Sequence, residues 1–366
     1  MKKIENILKQ FLLKLLLKIG STKSSSNTSL NDFSFSNVKV KILLIRLNRI
    51  GDAIITTPLI KLLKDHLDCE IEVLSDIKNH FIFENNPSVD KIIIFEKGLS
   101  GILKIRQYIN ESKFDFIIDT HDDVSTTVSY IIAMTKSQFK FGLKKSNEVI
   151  FTNTVKRLDA NKHHVVERVL KLSELFGIKQ NFENCNTAYF PTDNSLEYVK
   201  EFLSSNFKEK RFLFGINISA GSSARFWGVE RFQKLLGLLS DKNINIVIIS
   251  PPPDRRLAEN ISVGMYPIFS EKEFDKAAAL ISKVDLLFTP DTSLVHIASA
   301  FNVPVFGLYV KYKTDDIIWY PFKSKYEAVI TEEPNFDNLE FEQVQNRFMT
   351  FFESVFNDFE NKNYEK

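Results

Sequence analysis

Residues Arg46–Ile60 read RLNRIGDAIITTPLI, and they follow the apolar run KVKILLI of residues 39–45. From residue 42 to 45 the run has no polar alternation, as expected of a strand buried on both faces of a parallel sheet. The stretch after it spaces its apolar residues as a helix does. Strand, turn and helix open a doubly wound α/β domain, and a dinucleotide-binding version carries GxGxxG in that turn. Here Gly51 stands alone, followed by Asp52. Gly51 is expected to make the tight turn. Asp52 falls at the start of the helix, where two roles are open to it: a helix N-cap, or a general base at the edge where such sheets bind ligands.

Outward from this stretch, strand-like runs recur at VKILLIRL, EIEVLS, KIIIF and DFIIDT, with helical stretches AIITTPLIKLLKDHL and LSGILKIRQYIN between them. A second series begins near Arg211 with RFLFGINIS, NINIVIIS, YPIF, DLLFTP and VPVFGLY. Each series is long enough for one α/β domain, and two such domains would present their strand C-terminal ends to a common cleft. The expected boundaries are 38–190 and 191–345, with the connector around Pro191 and a C-terminal helix and tail over 346–366.

The polar residues at those strand ends are the candidate site. IDTHDD places Asp119, His121, Asp122 and Asp123 at one end in the first domain. Read locally it is either an ordinary polar loop or a ligand-facing one, and a metal there is conceivable. In the second domain, NISAGSSARFWGVERF offers Ser219, Gly221, Ser222 and Ser223 as donors, with Arg225 as a cation. The set suits a phosphate, or equally makes a Gly/Ser turn beside a solvated arginine. DLLFTPDTSLVHIASA ends a strand at Pro290, starts a helix at Asp291 and Thr292, and sets His296 one turn later. A helix N-terminus with hydroxyls and an imidazole is a plausible diphosphate cradle.

Bulk properties narrow the class. The 366 residues are 44% hydrophobic and carry a net charge of +2, enough for two cores and too balanced for nucleic acid as the main partner. Cys69 and Cys185 show no metal-ligand or disulfide spacing, which fits a reducing cytoplasm. The N-terminus differs. MKKIENILKQFLLKLLLKIG sets Ile4, Ile7, Leu8, Phe11, Leu12, Leu15 and Ile19 at helical spacing among lysines 2, 3, 9, 14 and 18. Residues 1–19 thus form a basic amphipathic helix, which can lie on an anionic membrane or pack on protein. A signal peptide fits poorly, because lysines interrupt its apolar region. Residues 20–37, rich in Ser and Asn, read as a flexible linker.

Taken in order, these motifs resemble the heptosyltransferase-type glycosyltransferases, glycosyltransferase family 9. ILLIRLNRIGDAIITTPLIKLLK is similar to that family's first strand and turn, SAGSSARFWGVERF to its PGA…KRW…RF region, and DTSLVHIASAFNVPVFGLYV to its DTG-x-MH segment. HVVERVLKLSELFGI, from His164, is similar to a helix on the interdomain side. The resemblance implies a GT-B fold, two Rossmann-like domains facing a central cleft. It also implies an inverting, metal-independent transfer of a sugar, heptose in the type case, from a nucleotide diphosphate to a lipid-linked glycan such as lipopolysaccharide core. On that pattern Asp52 matches the catalytic base, with Gly51, His121 and Asp122 on the acceptor side. Ser219, Ser222, Arg225, Asp254, Asp291, Thr292, Ser293, Leu294 and His296 fall on the donor side. No cofactor is implied beyond the donor, ADP-heptose in the type case. The place of work would be the inner face of the cytoplasmic membrane, reached through the N-terminal helix. Three departures stand out: Ser293 for glycine, Arg225 for lysine, and THDD for a His-Gly-Asn type of segment. A nucleotide-sugar-binding protein without turnover is the alternative on the same fold; a dinucleotide oxidoreductase lacks its glycine fingerprint.

Overall fold

The computed structural model describes residues 13–18, 39–178, 184–219 and 221–364. The chain forms two compact units, Met1–Cys185 and Asn186–Lys366.

The first unit holds strands β1 (Val40–Arg46), β2 (Cys69–Asp76), β3 (Lys91–Phe95), β4 (Phe116–Asp119), β5 (Phe139–Leu143) and β6 (Asn153–Val155). They form one sheet in the order β3-β2-β1-β4-β5-β6, every pair parallel. The expected strands are β1 to β4. The short β5 and β6 have no long apolar run to announce them. The single helix expected after β1 is two, α1 (Ile50–Ile54) and α2 (Thr57–His66). Pro58 explains the break: without an N–H it belongs in a first turn, which is where α2 has it. Gly51 does not make the turn. It lies buried within α1, and the residue with positive φ is Asn48, at 104°. Asparagine is among the few non-glycine residues that enter this region readily.

Residues 13–18 are helical, and Leu13, Leu16 and Leu17 pack on the core built by Ile105, Ile109, Val128 and Ile132. Leu15, expected on the buried face, is 49% exposed, whereas Leu13 is 5% exposed. A stripe at i, i+3 and i+4 is one face of a helix, and here that face is 13, 16 and 17. The rest of the expected amphipathic helix and the linker, residues 1–12 and 19–37, lies outside the described residues.

The second unit repeats the plan with β7 (Leu213–Asn217), β8 (Asn245–Ile249), β9 (Ile268–Phe269), β10 (Leu286–Pro290), β11 (Val305–Val310) and β12 (Tyr326–Thr331). Its order is β12-β11-β10-β7-β8-β9, again all parallel. Counted within the unit, this is the same 3-2-1-4-5-6 order as in the first. The C-terminal helix runs over Phe341–Tyr364, starting ahead of the expected 346. Its Phe341, Val344, Phe348, Phe352 and Val355 join the core around Phe214, Phe288 and Phe306, so the helix is a layer of this unit rather than a tail.

A 3-2-1-4-5-6 sheet reverses direction between its first and fourth strands. The crevice beyond the C-terminal ends of those two strands is where such sheets bind ligands. In the first unit these are β1 and β4, ending at Arg46 and Asp119. In the second they are β7 and β10, ending at Asn217 and Pro290.

Candidate active site

Both reversal points carry the residues singled out above. At the first, Asp52 lies in the first turn of α1, but it does not cap it. The N-cap residue is Arg49, and no side-chain cap bond is made there. The Asp52 carboxylate instead meets Arg46, whose Nη2 donates to Oδ1 at 2.7 Å. Arg46 also donates through Nε to the Asp52 carbonyl at 2.7 Å, and through Nη1 to the Thr120 carbonyl at 2.6 Å. Its guanidinium is 1% exposed. Burial pushes its pKa below the ordinary arginine value, opposed first by the Asp52 charge.

Asp119, His121 and Asp122 are drawn into the scaffold of this edge. Asp119 is fully buried. Its Oδ2 accepts from Lys145 Nζ at 2.9 Å, and its Oδ1 lies 2.7 Å from His121 Nδ1. Burial alone would raise the Asp119 pKa, but Lys145 and His121 hold the carboxyl well below the usual carboxylate range. His121 Nε2 faces the Leu47 carbonyl at 2.8 Å, which pins the β1 turn to the β4 turn. Asp122 accepts from Arg157 Nε at 2.9 Å and Nη2 at 2.6 Å, and pairs with Arg168 at 2.8 Å. Proximity in sequence to β4 placed these three near the ligand edge. The pairing partners Lys145, Arg157 and Arg168 come from beyond β5 and turn His121 and Asp122 into braces. Gly51 supplies no side chain.

At the second reversal point Asn217 bridges the two strand ends. Its side-chain amide donates to the Thr289 hydroxyl at 2.8 Å and the Ser219 carbonyl at 2.9 Å, and its Oδ1 accepts from Ser219 N at 3.2 Å. Helix α10 (Ser293–Ala300) starts from this bridge. Thr292 caps it, its hydroxyl accepting from Leu294 N at 3.3 Å. Arg225 closes a short turn capped by Ser222, whose hydroxyl accepts from Ala224 N at 3.2 Å. The Arg225 guanidinium pairs with the Asp291 carboxylate at 3.0 Å and donates to the Asp291 carbonyl at 3.1 Å. Among the described residues, the buried Ser219 hydroxyl has no hydrogen-bond partner. His296 is buried one turn into α10, its ring 6.0 Å from that of Trp319.

Ser219, Ser222, Arg225, Asp291, Thr292, Ser293 and His296 therefore gather on the β7 and β10 ends. Leu294 is a core residue whose contribution to this edge is its backbone N–H. Asp254 stands apart, after β8, at the head of the helix Arg255–Ser262, where its side chain makes no cap bond. Arg46, Thr120, Asn217 and Thr289 were not singled out beforehand. For Arg46 and Asn217 the available signal was a charged or amide residue as the last position of a largely apolar strand; Thr120 and Thr289 carry no such mark. Among the described residues, no group of three or more His, Cys, Asp or Glu side chains is arranged to hold a metal ion. No helix of the described residues is long and apolar enough to cross a membrane.

Two parallel sheets of 3-2-1-4-5-6 order, each with polar residues on its reversal point, define a double-Rossmann protein of the GT-B class. The profile of glycosyltransferase family 9 (heptosyltransferase) matches residues 102–347, more than half of the chain, and the protein belongs to that family and is a glycosyltransferase. The matched span starts downstream of Asp52. Among curated relatives, the lipopolysaccharide core heptosyltransferase OpsX of Haemophilus influenzae is 22% identical over 284 residues, which covers 75% of this chain and 80% of that one. Among solved structures, a glycosyltransferase family 9 protein from Veillonella parvula superimposes with a TM-score of 0.70 at 22% identity, covering 80% of this chain and 86% of that one. The Escherichia coli heptosyltransferase WaaC, solved with ADP, gives 0.68 at 14% identity, covering 87% and 99%.

Proposed function

We propose that this glycosyltransferase moves a heptose from ADP-heptose to a lipid-linked glycan of the lipopolysaccharide core type. The transfer is an inverting, metal-independent displacement at the cytoplasmic face of the membrane. Family membership, the relative named for lipopolysaccharide core and a fold neighbour solved with ADP support the substrate class. The observation that carries the mechanism is the Asp52 carboxylate. One oxygen is held by Arg46, the side chain is 20% exposed, and among the described residues no protein donor is recorded on the other oxygen.

In this reading Oδ2 of Asp52 takes the proton of the acceptor hydroxyl as its oxygen attacks the anomeric carbon. The bond from that carbon to the diphosphate breaks on the opposite face, which inverts the configuration. The departing diphosphate carries the negative charge. Arg225 and the N-terminus of α10 supply positive potential where it accumulates, and cost no reorganisation once set. Arg225 is paired with Asp291 in the structure, so the diphosphate exchanges with that carboxylate for the guanidinium. Ser219 and Thr292 add hydroxyls beside the phosphates, and Ser293 narrows the pocket relative to glycine.

The test is release of ADP from ADP-heptose with heptose-deficient lipopolysaccharide as acceptor, in the presence of a chelator. Retained turnover with an inverted product anomer is expected. Asp52→Asn lowers turnover by about two to four orders of magnitude, the scale of losing a general base, with ADP affinity unchanged. A variant within threefold of wild type would remove Asp52 from that role.

A further inference from the structure

Resting on the assignment of Asp52 as the base, we infer that Arg46 is the positioning residue of this active site: a fully buried guanidinium that aims the Asp52 carboxylate. Three observations carry it. First, Arg46 makes two bonds to one residue, from Nε to the Asp52 carbonyl and from Nη2 to Oδ1, both at 2.7 Å. The pair closes a ring that fixes the backbone of α1 and the rotation of the carboxylate together. Second, the remaining bond, Nη1 to the Thr120 carbonyl at 2.6 Å, fastens the guanidinium to the first residue after β4, across the strand-order reversal. The aim of Asp52 is thereby referred to the sheet rather than to its own five-residue helix. Third, Thr56 donates its hydroxyl to the same Asp52 carbonyl at 3.0 Å, and Asn79 holds the Arg46 carbonyl at 3.4 Å, so the brace itself is braced.

A planar fork with fixed donor directions can do this; an ammonium, as a point charge, cannot make the three bonds at once. One carboxylate oxygen is committed to Arg46, and the other meets the acceptor in a set direction. Positioning of this kind matters because misplacement of about 1 Å at a reacting group costs on the order of a hundredfold in rate. Burying a guanidinium is unfavourable unless it is fully bonded, and here three of its nitrogens are used.

A purely structural brace makes a different prediction from a positioning residue, and a mutant cycle on the full chain separates them. The assay is ADP release from ADP-heptose with heptose-deficient lipopolysaccharide, with ADP binding measured by calorimetry. Arg46→Lys keeps the charge and loses the fork. It is expected to lower kcat by about tenfold to a hundredfold while KM for ADP-heptose and the ADP affinity stay within twofold. In the Asp52→Asn background, the same change is expected to alter residual kcat by less than twofold, because Arg46 acts through a base no longer present. Equal losses in both backgrounds overturn the inference, as does a raised KM with unchanged kcat, or wild-type kcat in Arg46→Lys. If Asp52→Asn itself turns over like wild type, the base assignment fails and the inference falls with it. A dead Asp52→Asn beside an unaffected Arg46→Lys rejects Arg46 alone. Arg46→Met takes the arginine's bonds from the Thr120 carbonyl and one Asp52 carboxylate oxygen and leaves the Asp52 carbonyl to Thr56; should it fail to fold, Arg46→Lys still decides.

Discussion

Lys145→Met tests the buried charges beneath the ligand edge of the first unit. Asp119 is 1% exposed, and Lys145 is its main cation, at 2.9 Å and itself 5% exposed. Removing Lys145 leaves a buried carboxylate facing only His121, and also frees the His121 carbonyl that Lys145 Nζ meets at 2.7 Å. Breaking one side of a buried pair costs about 3–5 kcal/mol, because the remaining charge keeps its desolvation penalty. The double variant Asp119→Asn/Lys145→Met removes the charge as well and is expected to recover much of that loss.

The assay follows from where the chromophores lie. The sequence has two tryptophans, Trp227 and Trp319, both in the second unit, so tryptophan fluorescence does not report the first. Amide hydrogen exchange of peptides covering β1 and β4 in urea reports it directly. The pH dependence has a defined sign. The folded-state pKa of Asp119 lies below that of an unfolded aspartate, so its stabilisation is complete above the unfolded value. That stabilisation is lost as pH falls from there toward the folded value. Lys145→Met weakens the depression and flattens the acid loss. A cost under about 1 kcal/mol, or an acid profile unchanged from wild type, would refute the reasoning.

Two further expectations follow from particular contacts. Arg225→Ala removes a charge-assisted donor from the α10 edge and is expected to weaken ADP binding by roughly tenfold to a hundredfold, read by calorimetry without metal. Unchanged affinity takes Arg225 out of the donor site. Leu13→Asp puts a charge against the core formed with Ile105 and Ile109 and is expected to destabilise the first unit by about 2–5 kcal/mol in the same exchange experiment. If Leu13→Asp instead leaves the fold intact and abolishes binding to anionic vesicles, the packing of residues 13–18 is not what holds them.

The motif RLNRIGDAIITTPLI was enough to read a strand, a turn and a helix, and two series of apolar runs were enough to read two parallel sheets. Those signals are local: a strand buried on both faces reads as a near-continuous apolar run, as residues 42–45 of β1, 116–118 of β4, 246–249 of β8, 286–288 of β10 and 305–310 of β11 do, while β2 interrupts its run with Glu70 and Glu72. The interior strand β5 and the edge strands β6 and β12 escaped because a strand without a long apolar run gains its identity from the neighbour it pairs with. The break between α1 and α2 was legible in Pro58 but needed the turn at Asn48 to be seen as the source of the reversal instead of Gly51.

What the sequence alone determined is which residues stand at strand ends, because strand ends are where apolar runs stop. Asp52, Asp119, Ser219 and Asp291 were all found that way. What only the tertiary structure decided is which of these polar groups have their charge already spent. Asp119 is answered by Lys145, Asp122 by Arg157 and Arg168, and one oxygen of Asp52 by Arg46. Except for Arg46, each partner lies more than twenty residues away in sequence. A carboxylate in a list of residues looks the same whether it is a brace or a base, and the difference is set by the cation that the parallel sheet brings, or does not bring, to its second oxygen.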